Sequence, residues 1–285
     1  MLPTWVLIGA GRCGLQLARS LRAAGMEILG IEVRSPRSRA RAMRALPDVA
    51  TFGPRRSLPP AVGVLIAVPD GSIASCAAAL VPRVDPNTKV VFHTSGLLPA
   101  AMLAPLARAG RKVASFHPLA SFPTATGPLV PLVGALAVLE GDPGAVRAAR
   151  WLARRLRMRP VRIASANKPR YHAAAAIASS LTHVLVVTAL HQLTRVGLPR
   201  PIAVEGLHRL VAGSVTAALE ARGMERLTGP LARADAAAVR AHLAALPASI
   251  VPAYRAVADL ALAALGGEQL LSPRQVRDLT SALTG

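Results

Sequence analysis

The chain has 285 residues, of which 52% are hydrophobic, and a formal charge of +20 from 34 basic and 14 acidic side chains. That content excludes a disordered polymer and is enough for one large or two ordinary cores. With two Trp, two Tyr and four Phe, those cores must be built mainly from small aliphatic residues. Two cysteines, Cys13 and Cys76, exclude both a disulfide framework and a zinc cluster, and no metal is expected. The charge invites a nucleic-acid reading. However, Arg147, Arg150, Arg154 and Arg157 recur at three- and four-residue spacing, as one solvated helix face would. A positive field that draws in a small anionic substrate is the better expectation, with no nucleic acid as partner.

The first part of the chain alternates short apolar runs with helical ones. Trp5–Ile8 reads as a strand, Cys13–Ala24 as a helix, Glu27–Val33 as a strand and Arg37–Ala45 as a helix. Val62–Val68, Lys89–His93 and Lys112–Phe116 are further strands, separated by helices over Ile73–Leu80 and Pro99–Ala109. Ala135–Leu139, Pro143–Leu156 and Val161–Ile163 give strand, helix and strand. Apolar strands alternating with helices predict an α/β fold, a doubly wound (Rossmann) parallel sheet covered on both faces. Beyond residue 164 the β pattern stops. The reading is a dinucleotide-binding domain over 1–164 and an all-helical substrate and dimerisation domain over 165–285.

Gly9, Gly11 and Gly14 stand in G-x-G-x-x-G spacing between the first strand and the first helix. In that context glycines give the tight turn, the approach to a pyrophosphate and close helix–strand packing, and the helix N-terminus offers free N–H groups. The loop residues Gly9, Ala10, Gly11, Arg12, Cys13 and Gly14 are therefore the expected cofactor contacts, with Cys13 as a small packing residue rather than a redox thiol. At the end of the second strand Glu32 could take the ribose hydroxyls of NAD. Arg34, Ser35 and Arg37 just beyond suit a 2′-phosphate, and the reading favours NADP(H), with NAD as the alternative.

Ligands of such sheets sit at the carboxyl ends of the strands. There the sequence places Val68, Pro69 and Asp70, then His93, Thr94, Ser95 and Gly96, then His117 and Pro118. Val68 and Pro69 are expected at the cofactor. Ser95 and His117, each just past its strand, are expected at the substrate, and His93 in a structural role.

Ala173–Leu193 has the length and apolarity of a membrane span. It contains His183 and His191 and lacks an anchor's flanks, so it is read as part of a buried central helix, in a cytoplasmic protein with no membrane partner. The N-terminus lacks the basic start of a signal peptide. Asn167 or Ser165 should cap that helix and Pro169 fit its first turn. At 100° per residue, Lys168, His172, Ser179 and His183 fall within about a 60° sector, a polar stripe expected to face the cleft with Lys168 at its mouth. Farther on, Arg233 in "LTGPLARAD" could hold a substrate carboxylate, and Asp235 could cap the next helix.

Taken in order, "GAGRCG", "VPDGSI", "HTSGLL", "SFHPLASF", "KPRYHAAAAIASS" and "TGPLARAD" resemble a bacterial family with a Rossmann-like N-terminal domain and a helical C-terminal domain of unassigned function. That family is similar to the 6-phosphogluconate dehydrogenase-like reductases, among them ketopantoate reductase, pyrroline-5-carboxylate reductase and prephenate dehydrogenase. The resemblance implies a homodimer formed through the helical domain and hydride transfer with a nicotinamide cofactor. It casts Lys168 as the catalytic lysine of ketopantoate reductase, with His172 where that enzyme has asparagine, and Ser95 and His117 as the serine and histidine of prephenate dehydrogenase. Ser180 stands where the family often has asparagine. The expected activity is NADP(H)-dependent reduction of a small 2-oxo acid or imine of the ketopantoate type. Lys168 would be the general acid, Ser95, His117 and His172 its companions, and Ser179 and Arg233 substrate contacts. A prephenate-type dehydrogenase and a scaffold that binds nucleotide without catalysis are the rivals.

Overall fold

The computed structural model describes residues 3–285. Its first compact unit ends at Thr182 and its second covers His183–Gly285. The division falls inside the long helix expected to open the second domain, so Lys168 and His172 belong to the first unit.

Eight strands form one sheet: β1 (Thr4–Ile8), β2 (Glu27–Glu32), β3 (Thr51–Phe52), β4 (Gly63–Ile66), β5 (Val90–His93), β6 (Lys112–Leu119), β7 (Leu136–Gly141) and β8 (Arg159–Arg162), ordered 3-2-1-4-5-6-7-8. The pairs from β3 to β6 are all parallel, as are β7 and β8. β6 and β7 run antiparallel, so the expected doubly wound parallel sheet carries one antiparallel pair. No helix lies in the connection between those two strands, whereas parallel neighbours are usually joined through one. The two-residue β3 has no apolar run of its own to announce it.

Five helices accompany the strands: α1 (Arg12–Ala23), α2 (Pro36–Ala45), α3 (Ile73–Leu80), α4 (Ala104–Arg108) and α5 (Pro143–Arg155). The helix expected over Pro99–Ala109 enters through a 3₁₀ turn at Ala100–Leu103. Strand residues alternate between two cores, as a pleat requires. Leu7, Leu65, Phe92 and Phe116 point to one face with α1 and α5, while Val6, Ile8, Ile66 and Val91 point to the other with α3. Phe92 lies between Trp5 and Phe116, with ring centroids 5.8 and 6.3 Å away.

The long helix is not uniform. A 3₁₀ turn at Ser165–Asn167 leads into α6 (Lys168–Ala176), a π-helical turn covers Ile177–Leu181, and α7 (Thr182–Arg195) follows. Its start carries no side-chain cap, contrary to the expected role of Asn167 or Ser165, because the Ser165 hydroxyl donates instead to Glu140 at 2.6 Å. The wide turn inserts extra backbone, so the 100° bookkeeping that aligned Ser179 and His183 with Lys168 does not carry across it.

In the second unit α9 (Ala236–Ala245), α10 (Val251–Gly267) and α11 (Pro273–Thr284) close a small core around Val239, Leu262, Leu265 and Leu279. Asp235 caps α9 by accepting from the Ala238 N–H, as expected. By contrast α8 (Arg200–Glu220) buries only Ala203 and Leu207, and α7 buries nothing. The central helix was expected to be buried; none of its most apolar window is covered within the chain.

Candidate active site

The switch of strand order between β1 and β4 opens a crevice at their carboxyl ends. A cavity of about 270 Å³ lies there, lined by Gly9, Ala10, Gly11, Glu32, Arg34, Ser35, Ser38, Arg41, Val68 and Pro69, among others. Each glycine of the loop has its own reason. Gly9 has φ +97°, and a Cβ on it would come within 2.6 Å of the Ala67 carbonyl oxygen. A Cβ on Gly14 would strike that of Ala67 at 2.8 Å. At Gly11 it would meet only the Ala67 oxygen at 3.8 Å, so this side of the loop stands open. Gly11 also begins α1 without a side-chain cap, which leaves the first amides of that helix to a ligand.

The charges around this crevice differ from a simple NAD pattern. Glu32 is buried, and its carboxylate accepts from Arg83 at 2.5 Å. That engagement weakens its candidacy for ribose hydroxyls. Arg34 and Arg41 line the crevice, and Arg41 Nε donates to the Ala10 carbonyl at 2.6 Å, tying α2 to the glycine loop. Ser35 and Ser38 form a capping box at the start of α2. Arg37 is exposed and does not line the crevice, nor do Arg12 and Cys13. Burial pushes the Cys13 thiol up to about 12, so it stays protonated and serves packing.

A second group of side chains gathers at the ends of β4, β5 and β6. Ser95 Oγ donates to Asp70 at 2.9 Å and accepts from the amides of Leu98 at 2.9 Å and Leu97 at 3.2 Å. With all its bonds taken and the residue buried, Ser95 shapes the loop rather than presenting its hydroxyl to a substrate. His93 Nδ1 accepts from the Ser95 amide, so Nε2 carries the proton and donates to Pro99 O. Burial, with Lys168 nearby, holds His93 down at about 4, in keeping with the structural role expected of it.

Lys168 does not stand at a mouth. It is 1% exposed, and Nζ donates to Ser115 Oγ at 2.7 Å and to Ser95 O at 3.2 Å. Ser115 Oγ donates to the same Ser95 carbonyl at 3.0 Å. Burial draws the lysine pKa down, while Glu140 and Asp70 act to raise it. Its ammonium thus pins the Ser95–Gly96 turn from behind, a positioning arrangement in place of the expected contact with a reacting oxygen.

On the other side of that turn lie three rings. β6 continues to Leu119, so His117 is within the strand and not just past it. Tyr171 OH lies 2.6 Å from His117 Nδ1, and the rings of Tyr171 and His172 both meet His117 edge-on, with centroids 5.6 and 6.2 Å away. Gly96 closes the cluster: a Cβ there would come within 2.7 Å of His172 Cδ2 and 2.9 Å of His117 Nε2. Burial, together with Lys168, His172 and His93, takes His117 down to about 4, and burial pushes Tyr171 up to about 12. At neutral pH, therefore, a neutral imidazole faces a protonated phenol.

These rings form one wall of a cavity of about 650 Å³, whose remaining lining includes Ser121, Ala174, Ala175, Ser179 and Ser180. The structure thus brings His117, His172 and Ser179 together and leaves Lys168 and Ser95 behind the wall. Arg233, in the second unit, is exposed and bonds through its amide to Gly229 O. The sequence reading did not reach Tyr171, Ser115, Ser38 or Arg41. Tyr171 and Arg41 could have been found, since they lie three and four residues beyond Lys168 and Arg37 on helices.

Comparisons with known proteins agree with this geometry at the level of fold. Residues 4–118 match a Rossmann-like domain, and residues 135–261 match a domain of unknown function, DUF2520. No curated protein matches the chain in sequence. Among solved structures, it is similar to a Bacteroides fragilis protein provisionally classed as an NADP oxidoreductase, with TM-score 0.75, 20% identity, and 91% of this chain and 96% of that one covered. A Thermotoga maritima protein gives TM-score 0.66 at 23% identity, covering 93% and 99%. The pyrroline carboxylate reductase of Plasmodium falciparum, solved with NADP bound, gives TM-score 0.57 at 10% identity, covering 99% and 95%.

Proposed function

We propose that the protein is an NADP(H)-dependent oxidoreductase that reduces a carbonyl or imine, with NAD as the alternative cofactor. The observation that carries this reading is the pairing of a glycine-loop crevice bearing Arg34 and Arg41 with a neighbouring cavity walled by His117 and Tyr171. Gly9, Ala10, Gly11, Val68 and Pro69 would hold the dinucleotide, and Arg34, Ser35 and Arg41 its 2′-phosphate. When bound, the cofactor supplies the hydride. The similarity in fold to an NADP-bound pyrroline carboxylate reductase and a protein classed as an NADP oxidoreductase supports the same reading.

The chain's own residues supply the proton. Tyr171 keeps its proton and donates a hydrogen bond to His117 Nδ1, which leaves the single N–H proton of the neutral imidazole on Nε2. Nε2 makes no protein hydrogen bond among the described residues, and a neutral imidazole there can donate to a carbonyl oxygen. As that oxygen becomes an alkoxide it takes the Nε2 proton, while Nδ1 takes the phenolic proton of Tyr171. Solvent then returns one proton to the phenolate. Lys168 and Ser95 hold the Gly96 turn against the imidazole. Mixing the protein with NADPH and a panel of 2-oxo acids, imines, aldehydes and ketones tests the reading by loss of reduced-nicotinamide absorbance. Tyr171→Phe should slow turnover by about tenfold and shrink the solvent isotope effect. No consumption with any compound would reject the enzyme in favour of a scaffold.

We also propose a second copy of the chain as partner. The faces of α7 and α8 expose Val184, Ile202, Leu210 and Leu219, the last 82% exposed, around an apolar groove of about 570 Å³. Both long helices also satisfy the length and composition of a membrane span, with mean hydropathy 1.8 and 1.2. A chain of charge +20 repels its own copies except through a face with few charges, and this is such a face. Sedimentation without detergent should give a dimer; a monomer that needs detergent would reject this partner in favour of lipid.

A further inference from the structure

The cavity beside His117 has an unusual chemical character for a chain so rich in arginine. Its lining consists of His117, Tyr171, His172, three serines, Leu119 and a floor of alanines from α6 and the turn after it. Among the described residues of the first unit, no lysine, arginine, aspartate or glutamate lines it. The nearest buried cation, Lys168, is turned away, with Nζ engaged by Ser95 O and Ser115 Oγ. Arg170, on the same turn of α6, is exposed and outside the lining.

The serines sharpen the point. Ser179 donates its hydroxyl proton to Ala175 O at 2.6 Å, and Ser180 donates to Ala176 O at 3.3 Å. Both therefore offer lone pairs to the cavity and not protons. A carboxylate or phosphate entering here would find no cation on this wall, and the Ser179 and Ser180 oxygens would face it with like partial charge. Burial of an unpaired anion is among the costliest changes a protein can make. The alanines leave room for an apolar body and give it a smooth surface.

We infer that the group bound in this cavity is uncharged: a neutral aldehyde, ketone or imine with an apolar body and a hydrogen-bond donor able to meet Ser179 and Ser180. The inference rests on the reading of the cavity as the substrate site, and it replaces the small anionic substrate expected from overall charge. In this arrangement the positive field serves the cofactor crevice, where Arg34 and Arg41 lie, and the substrate is selected by shape and by neutral hydrogen bonds.

The test separates binding from turnover. NADP-loaded protein is titrated with matched pairs that differ only in a methyl or a carboxylate next to the carbonyl, and binding is followed by saturation-transfer NMR. The neutral member should bind at least about tenfold more tightly. Ser179→Arg, which supplies the missing cation, should reverse the order. Equal or tighter binding of the carboxylate by the wild type would overturn the inference, and so would no binding of either member. Turnover of the same compounds by protein loaded instead with NADPH speaks to the oxidoreductase reading alone: neutral compounds that bind without consuming NADPH would sink that reading and leave the selectivity standing.

Discussion

The two cavities of the first unit lie at the ends of neighbouring strands and are built by opposite means. The glycine-loop crevice is made of backbone and positive charge: Gly9 and Gly11, the free amides of α1, Arg34 after β2 and Arg41 on α2. The cavity beside it is made of side chains that carry no charge, with an imidazole held neutral by burial and a phenol that keeps its proton. Under the proposed function, a site that binds a polyanion and then transfers hydride to a neutral centre needs both, kept apart. The Ser95–Gly96 turn is the partition. Asp70 holds it through Ser95 Oγ, Lys168 and Ser115 hold it through Ser95 O, and its glycine lets both imidazoles approach.

The largest effect should come from breaking the neutral side. His117→Asn should lower turnover by about 10²- to 10⁴-fold, the span of a lost general acid, and leave NADPH affinity unchanged. A parallel loss of NADPH binding would show that the two cavities are not separate in function.

The partition itself has an acid limit. His93 is fully buried and is held at about 4, below its ordinary 6.5, by that burial and by the nearby Lys168, and a second proton on Nδ1 would also displace the Ser95 amide. The folded pKa is the lower one, so the unfolded chain takes the proton first. Stability from the neutral ring is complete above about pH 6.5 and is lost as pH falls toward 4, on the order of 3 kcal/mol in all. Thermal melts from pH 7 to 4.5 should fall accordingly, and His93→Gln should flatten that dependence. A wild-type melting temperature independent of pH over this range would refute the role given to His93.

The smallest expected effect lies on the charged side. Arg34→Ala should reduce the preference for NADPH over NADH by about tenfold, close to 1.4 kcal/mol, with turnover on saturating cofactor preserved. Equal loss for both nucleotides would place Arg34 at the pyrophosphate instead.

The contrast also explains what could be read from sequence. The crevice was legible because its determinants are local: Gly9, Gly11 and Gly14 sit in one loop, and Arg34 follows one strand. Strand and helix positions of the first unit were legible for the same reason, down to α3 at Ile73–Leu80. The other cavity was legible only in pieces. His117, His172 and Ser179 were identified as separate candidates, but Lys168 reads as a reactive group until Ser115, a residue 53 positions earlier, is seen to hold it. Likewise Ser95 reads as a free hydroxyl until Asp70 and two amides take its bonds. The reversal of β7 and the π-helical turn at Ile177–Leu181 depend on tertiary packing, which no local period encodes.

The most direct test of the central claim is a fluorescence titration of NADPH against the wild type and Gly11→Val. A Cβ at Gly11 would make only ordinary contact, 3.8 Å from the Ala67 oxygen, so the variant should fold, which a thermal melt beside the wild type checks. It would still fill the open side of the loop. The expected result is saturable NADPH binding by the wild type and a loss of about a hundredfold or more in affinity in Gly11→Val. No binding by the wild type, or equal binding by the two proteins, would contradict the account.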